Sequence, residues 1–162
     1  MIKHFENIRG EQKKGEKICS FFASDYHFEM ISIPYIEKEL KDKSNVVILT
    51  ENDLNNSIKK VLSSTNLDEN KKQEIFDINW SNNNENKLEE INKKLENNNG
   101  LTVFIKGGKK YIEEMDSYVQ KHLGFENIRT IHCYPIDEIK GNMQDIVSGY
   151  DTVLSTIGKT NI

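Results

Sequence analysis

The chain has no apolar run long enough to cross a bilayer, and its start, MIKHFENIRGEQKKGEK, lacks the apolar core of a signal peptide. We therefore expect a cytoplasmic protein with no membrane partner. An excess of positive charge is also missing, because 22 Lys and Arg stand against 26 Asp and Glu, for a formal net charge of −4. A protein that binds nucleic-acid backbones in general needs such an excess to release counterions. General nucleic-acid binding is therefore not expected.

Cysteine and metal-binding motifs are scarce. Cys19 and Cys133 lie far apart, each within an apolar run typical of a strand, so in a reducing cytosol we expect two buried thiols rather than a disulfide or redox pair. The four histidines form no HxxxH motif, and no CxxC motif occurs. A site that joins His132 with Cys19 or His27 across a sheet stays open as an alternative, but no metal site is predicted.

The motifs of common enzymes are missing as well. Neither G-x-S-x-G nor HExxH occurs, and the GKT triplet that begins at Gly158 has Val153 where a Walker A loop has its first glycine. A phospho-receiver domain would have an acidic pair after the first strand and a lysine before Pro135, where this chain has Tyr134. We therefore predict no catalytic residues, no cofactor and no enzymatic activity.

What the sequence does contain is an alternation of strand-like and helix-like segments. The strand-like runs are short and rich in apolar residues, and Val46–Thr50 is a continuous apolar run, as in a parallel strand that is covered on both faces. Apolar residues at helical spacing follow most of these runs. This alternation predicts an α/β fold, a three-layer sandwich around a mostly parallel central sheet of about five or six strands. We expect a single domain over residues 1–162, with residues 1–14 as an arm or short helix. Strands are predicted at Lys17–Phe22, Val46–Thr50, Ile75–Asn79, Leu101–Ile105, Ile128–Tyr134 and Thr152–Ile157.

Local signals refine two of the helices. Ser24 or Asp25 is placed to cap the helix after the first strand, and Pro34 inside that helix predicts either a kink or a restart. Asn142 is predicted to cap the last helix.

Ligands of open parallel sheets bind outside the carboxyl ends of the strands, and this rule selects the candidate ligand-binding residues. Gly107-Gly108 lies between a strand and a helix, where it either brings backbone amides to an anion near Lys106 or makes a tight turn. Trp80 and Tyr134 either flank a flat ligand or pack in the core. The candidates are Ser24, Asp25, Thr50, Glu51, Trp80, Lys106, Gly107, Gly108, Tyr134 and Asp137.

Four segments carry a resemblance to a known family: GEKICSFF from Gly15, MISIPYIEKEL from Met30, NVVILT from Asn45 and SSTNLD from Ser63. Together they resemble the MEDS domain, the methanogen/methylotroph DcmR-type sensory domain, which is similar to the KaiC and RecA-like ATPase core without its Walker A loop. A RecA-like core would place that glycine-rich loop where this chain has ASDYH, from Ala23 to His27.

Three positions match the family pattern, namely Cys19, Pro34 and Leu40, and three depart from it. Members often have His where this chain has Lys17, Tyr where it has Phe22, and Gly where it has Glu39.

The resemblance implies a sensory or regulatory domain for signal transduction, whose partner is a small-molecule signal or a regulatory protein. The alternative is an enzyme that acts on a nucleotide or another anionic metabolite, with Lys106, Asp77 and Asp137 at the strand ends. A third possibility is an interaction protein whose site is an exposed apolar patch.

Overall fold

The computed structural model describes residues 16–95, 100–123 and 128–162, and within these ranges six strands alternate with seven helices. The predicted arm at residues 1–14 lies outside them. In chain order the elements are β1 (Lys17–Phe22), α1 (Asp25–Lys41), β2 (Asn45–Thr50), α2 (Asn55–Ser63), α3 (Glu69–Phe76), α4 (Asn84–Leu95), β3 (Leu101–Lys106), α5 (Lys109–Leu123), β4 (Ile128–Pro135), α6 (Ile136–Ile139), α7 (Met143–Val147), β5 (Thr152–Ser155) and β6 (Gly158–Asn161).

All six strands form one sheet, in the order β2-β3-β4-β1-β5-β6. The strands from β2 across to β5 run parallel, and β6 pairs with β5 in the antiparallel sense. The carboxyl ends of β1, β2, β3 and β4 therefore meet at one edge of the sheet. The predicted α/β sandwich with a mostly parallel sheet is confirmed.

Two hydrophobic cores lie on opposite faces of the sheet, because side chains alternate sides along each strand. Ile18 and Ile48 point to the face covered by α1, α2 and α3, where Phe28 and Ile36 of α1 are fully buried. The other face carries the neighbouring residues Cys19, Val47 and Leu49, packed against Ile112 and Val119 of α5. No helix in the described ranges is long and apolar enough to span a membrane.

The strand predicted at Ile75–Asn79 was wrong. The segment begins within α3, whose N-terminus is capped by Asp68, and Asn79 has a positive φ of 79° that ends any regular structure. A run this short does not distinguish a buried strand from the apolar face of a helix. Ile75 instead packs in the core and its carbonyl oxygen accepts a 2.8 Å hydrogen bond from the indole nitrogen of Trp80.

The three predicted helix signals had different outcomes. Ser24 does cap α1, since its hydroxyl accepts a hydrogen bond from the backbone N–H of His27 at 3.1 Å. The helix then continues through Pro34 to Lys41, so the restart considered at the proline is absent. Asn142 is the N-cap residue of α7, as predicted, but its side chain makes no capping hydrogen bond.

Side chains of α4 cover the outer edge of β2. The Asn84 carboxamide accepts from the backbone N–H of Thr50 at 3.4 Å and donates to its carbonyl at 3.2 Å. Lys87 Nζ donates to the carbonyls of Ile48, at 2.6 Å, and Ser81. Lys87 is only 1% exposed, and this burial lowers its pKa to about 8. The Asn84 carboxamide and the Lys87 ammonium therefore bind backbone groups of β2 to which a further strand would have to hydrogen-bond.

Candidate functional site

Lys106 ends β3 and joins the carboxyl ends of three strands. Its Nζ lies 2.9 Å from Asp25 Oδ1 and donates to Asn52 Oδ1 at 2.7 Å, while Asn52 Nδ2 donates to Asp25 Oδ2 at 3.0 Å. The ammonium also lies 4.7 Å from the centre of the Phe22 ring, a cation–π distance. Because Lys106 is 3% exposed, this pairing within the protein replaces the water that a buried charge needs.

Glu29 lies one turn further along α1 and is fully buried. Its Oε1 accepts a 2.6 Å hydrogen bond from Ser57 Oγ, but Oε2 has no hydrogen-bond partner. Burial raises the pKa of Glu29 to about 7, and the Ser57 hydrogen bond only partly opposes that shift. The sequence analysis missed this residue, although its spacing from Ile33 and Ile36 places it on the buried stripe of the helix.

The Gly107-Gly108 turn holds carboxylates of the protein itself. The backbone N–H of Gly108 donates to Glu51 Oε1 at 2.9 Å. A Cβ atom on Gly107 would lie 2.6 Å from the Tyr111 ring, and one on Gly108 would lie 2.9 Å from Glu138 Oε1. A side chain at Gly107 would therefore displace Tyr111 and Glu51, whereas one at Gly108 would displace only the end of the Glu138 side chain. The Gly108 amide, which was predicted to approach an anion, is already bound by the carboxylate of Glu51.

The other predicted residues are dispersed. Thr50 Oγ1 donates to the carbonyl of Asn52 at 2.8 Å, and Asp137 is exposed on α6. Trp80 and Tyr134 belong to the cores on opposite faces of the sheet, so they cannot flank one flat ligand. Of the predicted site residues, the structure therefore brings together Asp25 and Lys106, and it places Glu51 on the Gly107-Gly108 turn that follows Lys106. Trp80 and Tyr134 do not belong to this group.

A chain of hydrogen bonds crosses the second core. His132 Nε2 lies 3.0 Å from Asp116 Oδ1, its Nδ1 lies 2.6 Å from the Tyr150 hydroxyl, and that hydroxyl lies 2.5 Å from the hydroxyl of Tyr134. Burial would raise the pKa of Asp116, but the hydrogen bond and charge of His132, together with Gln120 and Lys17, lower it.

These hydrogen-bonded side chains do not form part of a metal site. Cys19 is the β1 residue in register with His132. Within the part of the chain that the structure describes, however, no three His, Cys, Asp or Glu side chains group to hold a metal ion.

A cavity of about 590 Å³ lies elsewhere, between α1, the amino-terminal ends of β3 and β4, and the β5–β6 hairpin. None of the predicted site residues lines it. Its volume is within the range of small-molecule sites. The lining residues are Ile31, Pro34, Tyr35, Lys38, Glu39, Asp42, Ser44, Gly100, Leu101, Thr102, Arg129, Leu154, Ser155, Thr156, Gly158 and Lys159.

Arg129 is fixed in this cavity by residues from two directions. Its Nη1 donates to Glu39 Oε1 at 2.7 Å and to the Tyr35 hydroxyl at 3.0 Å. Its Nε lies 2.9 Å from Glu16 Oε1 but outside hydrogen-bond geometry, and Glu16 Oε2 lies 3.5 Å from Lys159 Nζ. Glu39, Tyr35 and Glu16 therefore hold the guanidinium in one orientation at the cavity wall.

In comparisons with known proteins, no family model, no curated protein and no solved structure matched this chain.

Proposed function

We propose that the chain is a non-catalytic sensory domain that binds a small-molecule signal in the cavity between α1 and the β5–β6 hairpin. The observation that carries this proposal is the cavity itself, about 590 Å³ of space whose lining combines apolar side chains, such as Ile31 and Pro34, with polar and charged ones around an oriented arginine. This volume, with several polar groups that converge on it, suits a small-molecule site. The resemblance to the MEDS domain agrees with a sensory role.

The position of the cavity supports a route for the signal. Ile31, Tyr35 and Lys38 line it from α1, while the other end of the same helix carries Asp25, which pairs with Lys106. A ligand regulates a protein only if it binds two of its conformations with different affinities. A small movement of α1 on ligand binding would reach the carboxyl edge of the sheet, from which a regulatory partner would read it.

The alternative, an enzyme at the carboxyl edge, has less support. It requires Lys106, Asp77 and Asp137 to converge on one pocket, whereas the carboxylate that pairs with Lys106 is Asp25. Asp77 accepts a 2.8 Å hydrogen bond from Gln73 of its own helix.

The proposal is tested by a thermal-shift screen of small metabolites and nucleotides with three proteins. Lys38→Trp places an indole in the cavity lining, and Lys41→Trp places the same side chain on an exposed position of α1 outside the lining. A ligand at about 100 times its Kd stabilises the native state by about 2.7 kcal/mol, which raises Tm by roughly 5–10 °C in a chain of this size.

We expect a ligand to stabilise the wild type and Lys41→Trp but not Lys38→Trp. If no compound stabilises the wild type, or if Lys38→Trp responds as strongly, the cavity is not the sensory site. Stabilisation by nucleotides alone that is unaffected by Lys38→Trp but lost in Lys106→Met would favour the enzyme.

A further inference from the structure

A buried lysine lies beside two carboxyl groups on successive turns of α1. Asp25 and Glu29 are four residues apart, a spacing that places both side chains on one face of the helix. Lys106 is 3% exposed, and its Nζ lies 2.9 Å from Asp25 Oδ1 and 2.7 Å from Asn52 Oδ1. In this arrangement the charge of Lys106 is therefore paired with Asp25, and Glu29 has no part in the ion pair.

Glu29 has the surroundings of a carboxyl group that is uncharged in this arrangement. It is fully buried, Ser57 Oγ donates to its Oε1 at 2.6 Å, and its Oε2 has no hydrogen-bond partner. A buried carboxylate that is left without a paired charge is much more costly than a neutral carboxyl group. The geometry therefore fits the protonated acid. Burial also raises the pKa of Glu29 to about 7, so the proton is lost close to neutral pH.

Two charged groups among the described residues act on Glu29, and they act in opposite directions. Asp25, from the same helix, opposes the ionisation of Glu29 through its negative charge, and Lys106, from β3, favours it through its positive charge. The neighbouring helix α2 contributes the uncharged hydroxyl of Ser57. From β1, the uncharged ring of Phe22 lies 4.7 Å from Lys106 Nζ. Lys106 is therefore the cation that acts on Glu29 when it ionises.

An ionised Glu29 needs a partner inside the protein. It is fully buried, so water does not solvate its charge in this arrangement. Asp25 differs, because 41% of its side-chain surface is exposed and water can solvate its carboxylate if the ion pair opens. The Lys106 ammonium therefore offsets more desolvation at Glu29 than at Asp25. Side chains on successive turns have Cβ atoms about 5–6 Å apart, a distance that the flexible stem of a lysine can cover.

We infer that Glu29 is a proton-binding site that controls the carboxyl edge of the sheet. Lys106 holds Asp25 while Glu29 is protonated, and it turns to Glu29 and releases Asp25 when the proton passes to water. Lys106 keeps its own charge in both arrangements. The release leaves Asp25 with Asn52, whose Nδ2 donates to Asp25 Oδ2 at 3.0 Å, and frees a carboxylate at the amino-terminal end of α1. The inference goes beyond the proposed function, because it concerns this edge and not the cavity.

Crystal structures of the full chain at pH 5 and pH 8 test the position of the lysine. At pH 5 we expect Lys106 Nζ to lie within hydrogen-bond distance of Asp25. At pH 8 we expect it to lie within hydrogen-bond distance of Glu29 and to have left Asp25. A lysine that stays on Asp25 at pH 8, although Glu29 has ionised, would overturn the inference.

Carbon-13 NMR of the Asp and Glu side-chain carboxyl groups from pH 5 to pH 9 follows the proton itself. The Glu29 resonance should titrate with a midpoint of about 7, and the Asp25 resonance should change with the same midpoint, since the two groups share Lys106. The change at Asp25 should be absent in Glu29→Gln, and its persistence there would contradict the inference. Glu74→Gln, on the exposed surface of α3, is the matched control and should show both transitions.

Asp25→Asn provides a second test that leaves the core unchanged, because Asp25 is the exposed member of the pair. The variant removes both the repulsion by Asp25 and its competition for Lys106, so the midpoint of the Glu29 titration should fall by about one pH unit, a tenfold change in proton affinity. Asp42→Asn, at the other end of α1, is its control and should leave the midpoint unchanged. If Glu29 is already ionised at pH 5, or if Asp25→Asn does not move the midpoint, the inference is wrong, and neither result bears on ligand binding in the cavity.

Discussion

Replacing the buried Glu29 with glutamine removes an ionisable group whose protonation state differs between the folded and unfolded chain. In the native protein Glu29 is fully buried, with one carboxylate oxygen on Ser57 and the other without a partner. Burial raises its pKa from 4.5 to about 7, so between these values the native state binds more protons than the unfolded state. Stability therefore falls as the pH rises through this window.

The magnitude follows from the two pKa values. The difference between 4.5 and about 7 corresponds to about 3 kcal/mol at roughly 1.36 kcal/mol per pH unit, and most of it falls between pH 5 and pH 8. Glutamine has nearly the same shape, keeps an oxygen for Ser57 and does not ionise. Glu29→Gln should therefore gain about 2–3 kcal/mol relative to the wild type when the pH is raised from 5 to 8.

Urea denaturation of both proteins at pH 5 and pH 8, followed by Trp80 fluorescence, measures this change. Any constant cost of burying the glutamine amide cancels in the comparison between the two pH values. Glu74→Gln on the exposed surface of α3 is the matched control, and its stability difference from the wild type should change little with pH. If the difference for Glu29→Gln is the same at both pH values, the carboxyl group is not desolvated in the way that the structure indicates.

Three further predictions concern buried polar groups. Trp80→Phe loses the hydrogen bond to the Ile75 carbonyl and part of a fully buried ring, and should lower the free energy of unfolding by about 1–3 kcal/mol in urea denaturation; no change would mean that the indole is not in the core. Lys87→Met leaves two main-chain carbonyls without their donor and should cost about 2–4 kcal/mol by the same measurement, and a more stable variant would contradict that role. Cys19 and Cys133 should react with a thiol reagent only after unfolding, because both are buried and burial raises the pKa of Cys19 to about 11; rapid labelling of the native protein would contradict this.

The strands were predictable because a covered parallel strand is a short run dominated by apolar residues. The runs at Lys17–Phe22, Val46–Thr50 and Ile128–Tyr134 agree with the observed strands within one residue. Ile75–Asn79 failed because a short apolar run also suits the buried face of a helix such as α3.

The candidate site was predictable only in part. The rule for parallel sheets correctly placed Asp25 near Lys106, but it does not say whether free space remains between them, and Asn52 closes that space. The cavity has no local signature in the sequence. It depends on how α1 packs over the sheet, and its polar end is made by Arg129 and Lys159, which no spacing pattern connects.

The coverage of β2 by Asn84 and Lys87 has a consequence for assembly. Among the described residues β6 pairs only with β5, so the sheet has one blocked edge and one open edge. Addition of strands between copies is therefore disfavoured at β2, where Asn84 and Lys87 bind backbone groups of Thr50 and Ile48, and β6 is the unpaired edge among the described residues. One amide and one ammonium group on α4 thus oppose growth of the sheet from its β2 side.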